Sequence, residues 1–163
     1  MAGLLPAPAW GQEVTWQPWF QQWLSCKTVR LPAACGYELG LRLSDDRALQ
    51  RLNARYRHIE LPTDVLAFAA LEAMPMPAEV LASEPLYLGD IEISVETAMY
   101  QAQARGHTVG SELVWLASHG LLHLLGWDHP DRDRLQAMLQ CQEHLLRISG
   151  HTIPEWQQEL SKY

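Results

Sequence analysis

The chain has 163 residues, of which 48% are hydrophobic and 19% are charged, a composition typical of a single globular domain and not of a disordered or fibrous chain. Nineteen acidic and twelve basic residues give a net charge of −7, so the overall field repels nucleic acids, and binding to one would require a local basic patch. The three cysteines, Cys26, Cys35 and Cys141, are widely spaced, which argues against a disulfide framework and suits a reduced, cytoplasmic protein.

The N-terminal segment has neither the basic region nor the long apolar region of a signal peptide. The longest apolar stretch, residues 113–125, contains a serine, a glycine and two histidines. It is too short and too polar to span a bilayer, and it predicts a buried helix instead. No membrane partner is therefore expected.

The first half of the chain is predicted to mix helices and strands. Thr15 is expected to cap a helix that runs to about residue 25, with Pro18 in its first turn. A second helix is predicted over residues 45–56, where apolar residues recur at helical spacing after an acidic start. Prolines make residues 74–77 a loop. Period-two alternation and short apolar runs predict three strands, at residues 37–43, 65–68 and 87–93.

The second half is predicted to be mostly helical. Ser94 is expected to cap a helix over residues 95–105, which Gly106 ends. A long helix follows over residues 110–125, until Gly126 stops it.

Asp131 is expected to cap a last long helix, which runs to about residue 149, and residues 153–154 start a final helical turn. Strands that come early and helices that come late predict an α+β fold in one domain, residues 1–163, with about five helices. The absence of a glycine-rich phosphate loop argues against a nucleotide cofactor.

Residues 119–129 contain three histidines at a spacing that predicts a metal site. His119 and His123 are four residues apart, so they share one face of the long helix and can bind one ion. Gly126 permits a sharp turn that brings His129 back to the same ion. Three imidazoles leave one position open, as in catalytic zinc sites, although nickel, copper or iron would also suit them. Asp128 either orients an imidazole or lies near the open position.

The same H-x3-H-x5-H spacing occurs in the metzincin metalloproteases. A protease carries a glutamate directly after the first histidine as general base, whereas this chain has Gly120. The alternative to a metal site is a set of core histidines on an apolar helix. The remaining histidines have no metal-type spacing and are interpreted as surface or core residues: His58, His107, His144 and His151.

Three blocks of the sequence occur together, and in this order, in one known family. Residues 119–129 resemble the HGxLHLxGYDH signature of the bacterial YbeY family of rRNA maturation endoribonucleases, with Trp127 in place of tyrosine. Residues 53–68 are similar to its N-x-x-YR…PTDVLSF block, with Ala67 in place of serine, and residues 88–91 match its LGDI strand. The resemblance covers about residues 35–150. In the first forty residues, tryptophan and proline argue against the family's first strand.

This resemblance implies a small α+β domain with a mixed sheet, in which the histidines lie on and just after a central helix, as in zincins. It implies a single-strand-specific, metal-dependent endoribonuclease that acts in 16S rRNA 3′-end maturation and late ribosome quality control, with the small ribosomal subunit as partner. The ligands of the family motif correspond to His119, His123 and His129, which would hold Zn²⁺. The arginine of its YR block corresponds to Arg57.

Elementary chemistry also suits Arg57 for catalysis, because a guanidinium matches a phosphate group with two donors and stabilises the charge that RNA cleavage builds up. Three more arginines form either a basic patch for RNA or a solvated face with intrahelical ion pairs: Arg47, Arg51 and Arg55. Tyr56 and Trp127 would either stack on bases or pack in the core.

Asp64 is interpreted as a turn or capping residue, with a general base as the alternative. Two further functions are compatible with the sequence. One is a zinc-stabilised, non-catalytic RNA-binding factor in ribosome assembly, which would bind RNA without its metal. The other is a metallohydrolase of a different substrate, although Gly120 argues against peptide cleavage.

Overall fold

The computed structural model describes residues 13–70 and 76–151, together with Glu155 and Leu160. Helices and strands alternate as far as β3, and only helices follow it among the described residues, which confirms the predicted α+β class. The described residues form six helices and three strands: α1 Glu13–Leu24, β1 Tyr37–Ser44, α2 Asp46–Arg57, β2 Val65–Ala69, α3 Ala78–Ser83, β3 Leu86–Ser94, α4 Val95–Arg105, α5 Val109–Leu124 and α6 Arg132–Ile148.

The three strands form one mixed sheet in the order β1-β3-β2. β1 runs parallel to β3, whereas β2 runs antiparallel to it. The central strand β3 is buried over most of its length, and only Tyr87 and Asp90 are exposed. Leu88, Ile91 and Ile93 are fully buried. The mixed sheet that the family resemblance implies is confirmed.

Local capping signals determine where the later helices begin. Ser94 Oγ accepts a hydrogen bond from the Thr97 amide at 3.1 Å, and α4 ends at Gly106 in the left-handed region, φ 72°. Asp131 likewise caps α6 by accepting from the Arg134 amide at 2.8 Å. The predicted bounds of α4 are therefore confirmed, and those of α5 and α6 are correct to within about one residue.

The start of α1 differs from the prediction. α1 begins at Glu13, so Thr15 lies inside the helix and does not cap it, and Pro18 follows the first turn. The buried aromatic face of α1 begins at Trp16, in the first turn of the helix. Trp23 is fully buried, and its indole Nε1 donates to the Leu145 carbonyl of α6 at 3.0 Å. No strand occurs in the described residues before β1.

The short helix α3 was not predicted, because a six-residue segment with no buried residue carries no apolar periodicity. It begins directly after the predicted loop, of which Met76 and Pro77 lie outside any helix or strand. Met74 and Pro75 of that loop lie outside the described residues. The turn predicted at residues 153–154 also lies outside them.

α5 is the central helix of the structure. It packs against β2 and β3 as well as against α4 and α6, and eleven of its sixteen residues are buried. Nearly all-round burial explains its continuous apolar sequence. None of the helices in the described part of the chain has both the length and the apolar character needed to cross a membrane.

Candidate metal centre

Two of the three histidines lie one turn apart on the same face of α5. The Nε2 atoms of His119 and His123 are 3.0 Å apart, and their ring centroids are separated by 4.6 Å. Both side chains are half-buried, so the pair faces a cleft and not the apolar core. The i, i+4 spacing thus produces the geometry that the sequence predicted.

The turn after α5 returns the chain to this pair. The Gly126 amide donates to the His123 carbonyl at 3.1 Å, and the Trp127 amide donates to the Leu122 carbonyl at 3.0 Å, which together form a Schellman motif. Gly126 has φ 89°, a conformation that disfavours any residue with a side chain. The turn places the His129 ring 5.4 Å from the His119 ring and 5.3 Å from the His123 ring, between centroids.

The donor set fits a single transition-metal ion. One ligand nitrogen from each histidine lies within 4.8 Å of the other two, and no carboxylate or thiol belongs to the same group in the described residues. Nitrogen ligands that bind zinc at about 2.0–2.1 Å need only a small adjustment from this arrangement. Three imidazoles with no fourth protein ligand among the described residues match the open type of site.

Electrostatics favour the form of His123 that binds a metal. Burial, followed by the proximity of His119 and His129, lowers the pKa of His123 from 6.5 to about 4. A hydrogen bond with the Trp127 backbone opposes this shift, and the charge of Arg57 adds to it. His123 is therefore a neutral imidazole at pH 7, with a lone pair for a ligand bond.

His119 has a buried partner that the sequence interpretation did not identify. Its Nδ1 lies 2.9 Å from Oε1 of Gln142 on α6, and the Gln142 side chain is fully buried. One sequence signal would have indicated this residue, because Gln142 occupies the apolar stripe of α6 with Met138 and Leu145 at helical spacing. A polar residue on an apolar stripe requires a buried partner.

The histidines line a cleft of about 570 Å³ that also contains Arg57. Arg57 is the last residue of α2, and His58 follows it in the left-handed region at φ 59°. The buried Asn53 holds the next segment against the helix, because its Nδ2 donates to the Leu61 carbonyl at 2.8 Å. The structure thus brings Arg57 and the three histidines, which lie far apart in the sequence, to one cleft.

Asp64 and Asp128 also line the cleft, but each binds backbone. Asp64 Oδ1 accepts from the Val65 amide at 2.8 Å, and its Oδ2 accepts from Gln101 Nε2 at 3.1 Å. Asp128 Oδ1 accepts from the His129 amide at 2.8 Å. Asp64 thus shapes the start of β2, and Asp128 shapes the turn that carries the third histidine.

The predicted arginine stripe is exposed, and a further arginine lies in the cleft. Arg105 lines the cleft, and its Nη1 donates to Oε1 of the fully buried Glu112 at 3.0 Å. His107 binds the other oxygen of Glu112, which agrees with the interpretation that it is not a ligand. In the described part of the chain, ion pairs with acidic side chains are absent for three arginines: Arg47, Arg51 and Arg55.

Gly120 lies where the helix approaches the sheet most closely. A Cβ atom at this position would be 2.7 Å from Cγ2 of Ile91 on β3, well inside van der Waals contact. Ile91 is fully buried, so a side chain at position 120 would force Ile91 or the helix to shift. The catalytic glutamate of a metzincin therefore has no room at this position, which agrees with the sequence argument against a peptidase.

Fold and site together define an α+β protein with three convergent histidines in an arginine-containing cleft. The family model described as endoribonuclease YbeY matches residues 9–150. The chain therefore belongs to the endoribonuclease YbeY family, which confirms the resemblance drawn from the three blocks. The match begins at residue 9, well before the predicted limit near residue 35, so α1 belongs to the shared fold.

Relatives of this chain are similar over most of its length. An endoribonuclease YbeY from Nostoc sp. is 56% identical over 140 residues, which are 85% of this chain and 76% of the relative. The endoribonuclease YbeY of Picosynechococcus sp. is 57% identical over 135 residues, 81% of this chain and 80% of the relative. The solution structure of TM1509 from Thermotoga maritima is 25% identical, covers 78% of this chain and 75% of its own, and superimposes with a TM-score of 0.46.

Proposed function

We propose that this chain is a single-strand-specific endoribonuclease that uses Zn²⁺ held by His119, His123 and His129. Its substrate is the 3′ end of the 16S rRNA precursor, and its partner is the small ribosomal subunit in the cytoplasm. The observation that carries the proposal is the convergence of three imidazole donors and the Arg57 guanidinium on one cleft. Membership of an endoribonuclease family supports RNA as the substrate.

The chemistry of the cleft residues suits phosphodiester cleavage. Negative charge grows on the non-bridging phosphoryl oxygens as the bond breaks, and the Arg57 guanidinium offers two donors to that charge. The three histidines orient the metal, which supplies Lewis-acid activation when bound. Arg57 also binds the ground-state phosphate, so it contributes to the alignment of the RNA as well as to the reaction.

The proposal is tested with a labelled single-stranded RNA that carries the 16S rRNA 3′ end. Cleavage by the zinc-loaded protein is compared with cleavage in the presence of a chelator, by His123→Ala and by Arg57→Ala. Arg147→Ala is the control, because Arg147 is exposed at the end of α6 and does not line the cleft. Loss of Arg57 removes charge stabilisation and should lower kcat/KM by about 100-fold or more.

Cleavage that disappears with the chelator and in both cleft variants, but persists in Arg147→Ala, would support the proposal. Cleavage that survives in both cleft variants would place the activity elsewhere or in a contaminant. Retained RNA binding without any cleavage by the zinc-loaded protein would overturn it in favour of a non-catalytic assembly factor.

A further inference from the structure

Gln142 is a buried amide of α6 whose two ends contact different residues of α5. Its Oε1 lies 2.9 Å from His119 Nδ1, and its Nε2 lies 3.3 Å from the Trp115 carbonyl oxygen. A longer contact of 3.5 Å joins Nε2 to Ser118 Oγ. Gln142 and Ser118 are fully buried, and Trp115 is 4% exposed, so bulk water does not compete for these bonds.

The orientation of this amide follows from its partners. A main-chain carbonyl only accepts hydrogen bonds, so the Trp115 oxygen must face the NH₂ end of Gln142. Ser118 Oγ donates its own hydrogen to the same carbonyl at 2.7 Å, and its lone pairs therefore point toward a donor. Both contacts place Nε2 on this side and leave Oε1 facing His119.

A carbonyl oxygen that faces an imidazole determines where the imidazole proton lies. Oε1 of Gln142 has no hydrogen to donate, so the bond at 2.9 Å requires the proton on Nδ1 of His119. The neutral ring then carries its lone pair on Nε2. This is the atom that lies 3.0 Å from His123 Nε2, within the three-histidine cluster.

We propose that Gln142 is a positioning residue of the metal centre, which fixes the tautomer and the ring orientation of His119 before a metal binds. The proposal rests on the proposed metal site and not on the RNA substrate. The chain of contacts runs from the backbone of α5, through the Gln142 amide of α6, to the ligand nitrogen. The packing of α6 against α5 therefore also holds the His119 ring in the orientation that metal binding requires.

The test compares Gln142→Leu, which removes the acceptor, with Gln142→Glu, which keeps an acceptor for Nδ1–H. Gln140→Leu is the control, because Gln140 is an exposed glutamine on the same helix. Nitrogen-15 NMR of the metal-free proteins identifies the His119 tautomer. Competition with a chromophoric chelator gives the zinc affinity. Thermal unfolding of each variant shows whether the fold is retained.

We expect the Nδ1–H tautomer in the wild type, in Gln142→Glu and in Gln140→Leu. Gln142→Leu should shift His119 toward the Nε2–H tautomer and weaken zinc binding by about 10–100-fold, the usual effect of removing a partner of a metal-binding histidine. An Nε2–H tautomer in the wild type would overturn the proposal. So would equal losses of zinc affinity in Gln142→Leu and Gln142→Glu, since that result would indicate packing alone.

These measurements use no RNA, so they are independent of the proposed activity. A wild-type protein that binds zinc with the predicted tautomer but does not cleave RNA would contradict the endoribonuclease proposal and leave the role of Gln142 supported.

Discussion

At position 120, the backbone of α5 lies so close to β3 that no side chain fits between them. The sequence showed only that the glutamate of a protease is missing there. The structure adds the reason, since a Cβ atom would be 2.7 Å from the Ile91 side chain. Gly120 thus has a structural role, namely to let the ligand-bearing helix approach the sheet.

Gly120→Ala is expected to destabilise the protein by about 1–3 kcal/mol, the usual cost of overpacking a dense core. Chemical denaturation with urea should show a lower midpoint than for the wild type. Gly120→Glu should be more severe, because it adds a buried charge to the same steric conflict. A wild-type midpoint for Gly120→Ala would show that β3 moves aside freely and would contradict the proposed close contact.

The three histidines and Gln142 show which residues of the site could be predicted from the sequence and which could not. The three histidines could be selected because their spacing lies within one helix and one turn, where local geometry determines their positions. The partnership of Gln142 with His119 joins residues from different helices and depends on how α6 packs against α5. No local pattern encodes that packing, although a polar residue on the apolar stripe of α6 indicates that Gln142 needs a buried partner.

Among the helices, the starts that a nearby capping residue determines were predicted correctly. Ser94 and Asp131 act on amides only three residues away, so their effect can be deduced from the sequence. The helix α1 was also predicted, but its start was placed too late. The packing of α1, in which Trp23 donates to the Leu145 carbonyl of α6, joins segments far apart in the chain, and no short-range pattern contains that information.

Asp46 connects the start of α2 to the start of α4, and it makes the free energy of unfolding depend on pH. Hydrogen bonds from Ser94 and then Thr97 lower the pKa of Asp46 below its ordinary value of 3.8. Because the folded pKa is lower than the unfolded one, Asp46 stabilises the fold above pH 3.8, and this contribution is lost as the pH falls through the folded pKa. The link joins α2 to the N-terminus of α4.

Asp46→Asn is expected to lower the free energy of unfolding at pH 7 by about 1 kcal/mol, since the neutral amide is a weaker acceptor than the carboxylate. The difference from the wild type should shrink as the pH is lowered below 3.8. Urea denaturation at several pH values measures it. A difference that stays constant down to acid pH would mean that the charge of Asp46 contributes nothing.

For the molecule as a whole, a net charge of −7 coexists with a locally basic side. Arg57 and Arg105 line the cleft, and the exposed stripe of α2 lies on the helix that ends at Arg57. The sequence suggested the stripe but left its use open. In the described residues these arginines form no ion pairs with acidic side chains, and we expect RNA phosphates to be their partners.

Neutralising the whole stripe should therefore weaken RNA binding without loss of the reaction itself. In the triple variant Arg47→Gln, Arg51→Gln, Arg55→Gln, the slope of log Kobs against log salt concentration should become less steep by about 2, if each arginine contacts one phosphate of single-stranded RNA. Cleavage at saturating RNA should be unchanged. An unchanged salt slope would show that the stripe is only a solvated face.

The cleft residues come from two separate segments of the sequence, and this affects how the site can change during evolution. All three candidate ligands lie within the continuous segment 119–129, whereas Arg57 and the exposed arginines belong to α2. Substitutions of the exposed arginines in α2 therefore alter the surface offered to RNA without disturbing the histidine cluster. Substrate preference and metal binding can therefore change independently during evolution, although the residues that determine them form one site.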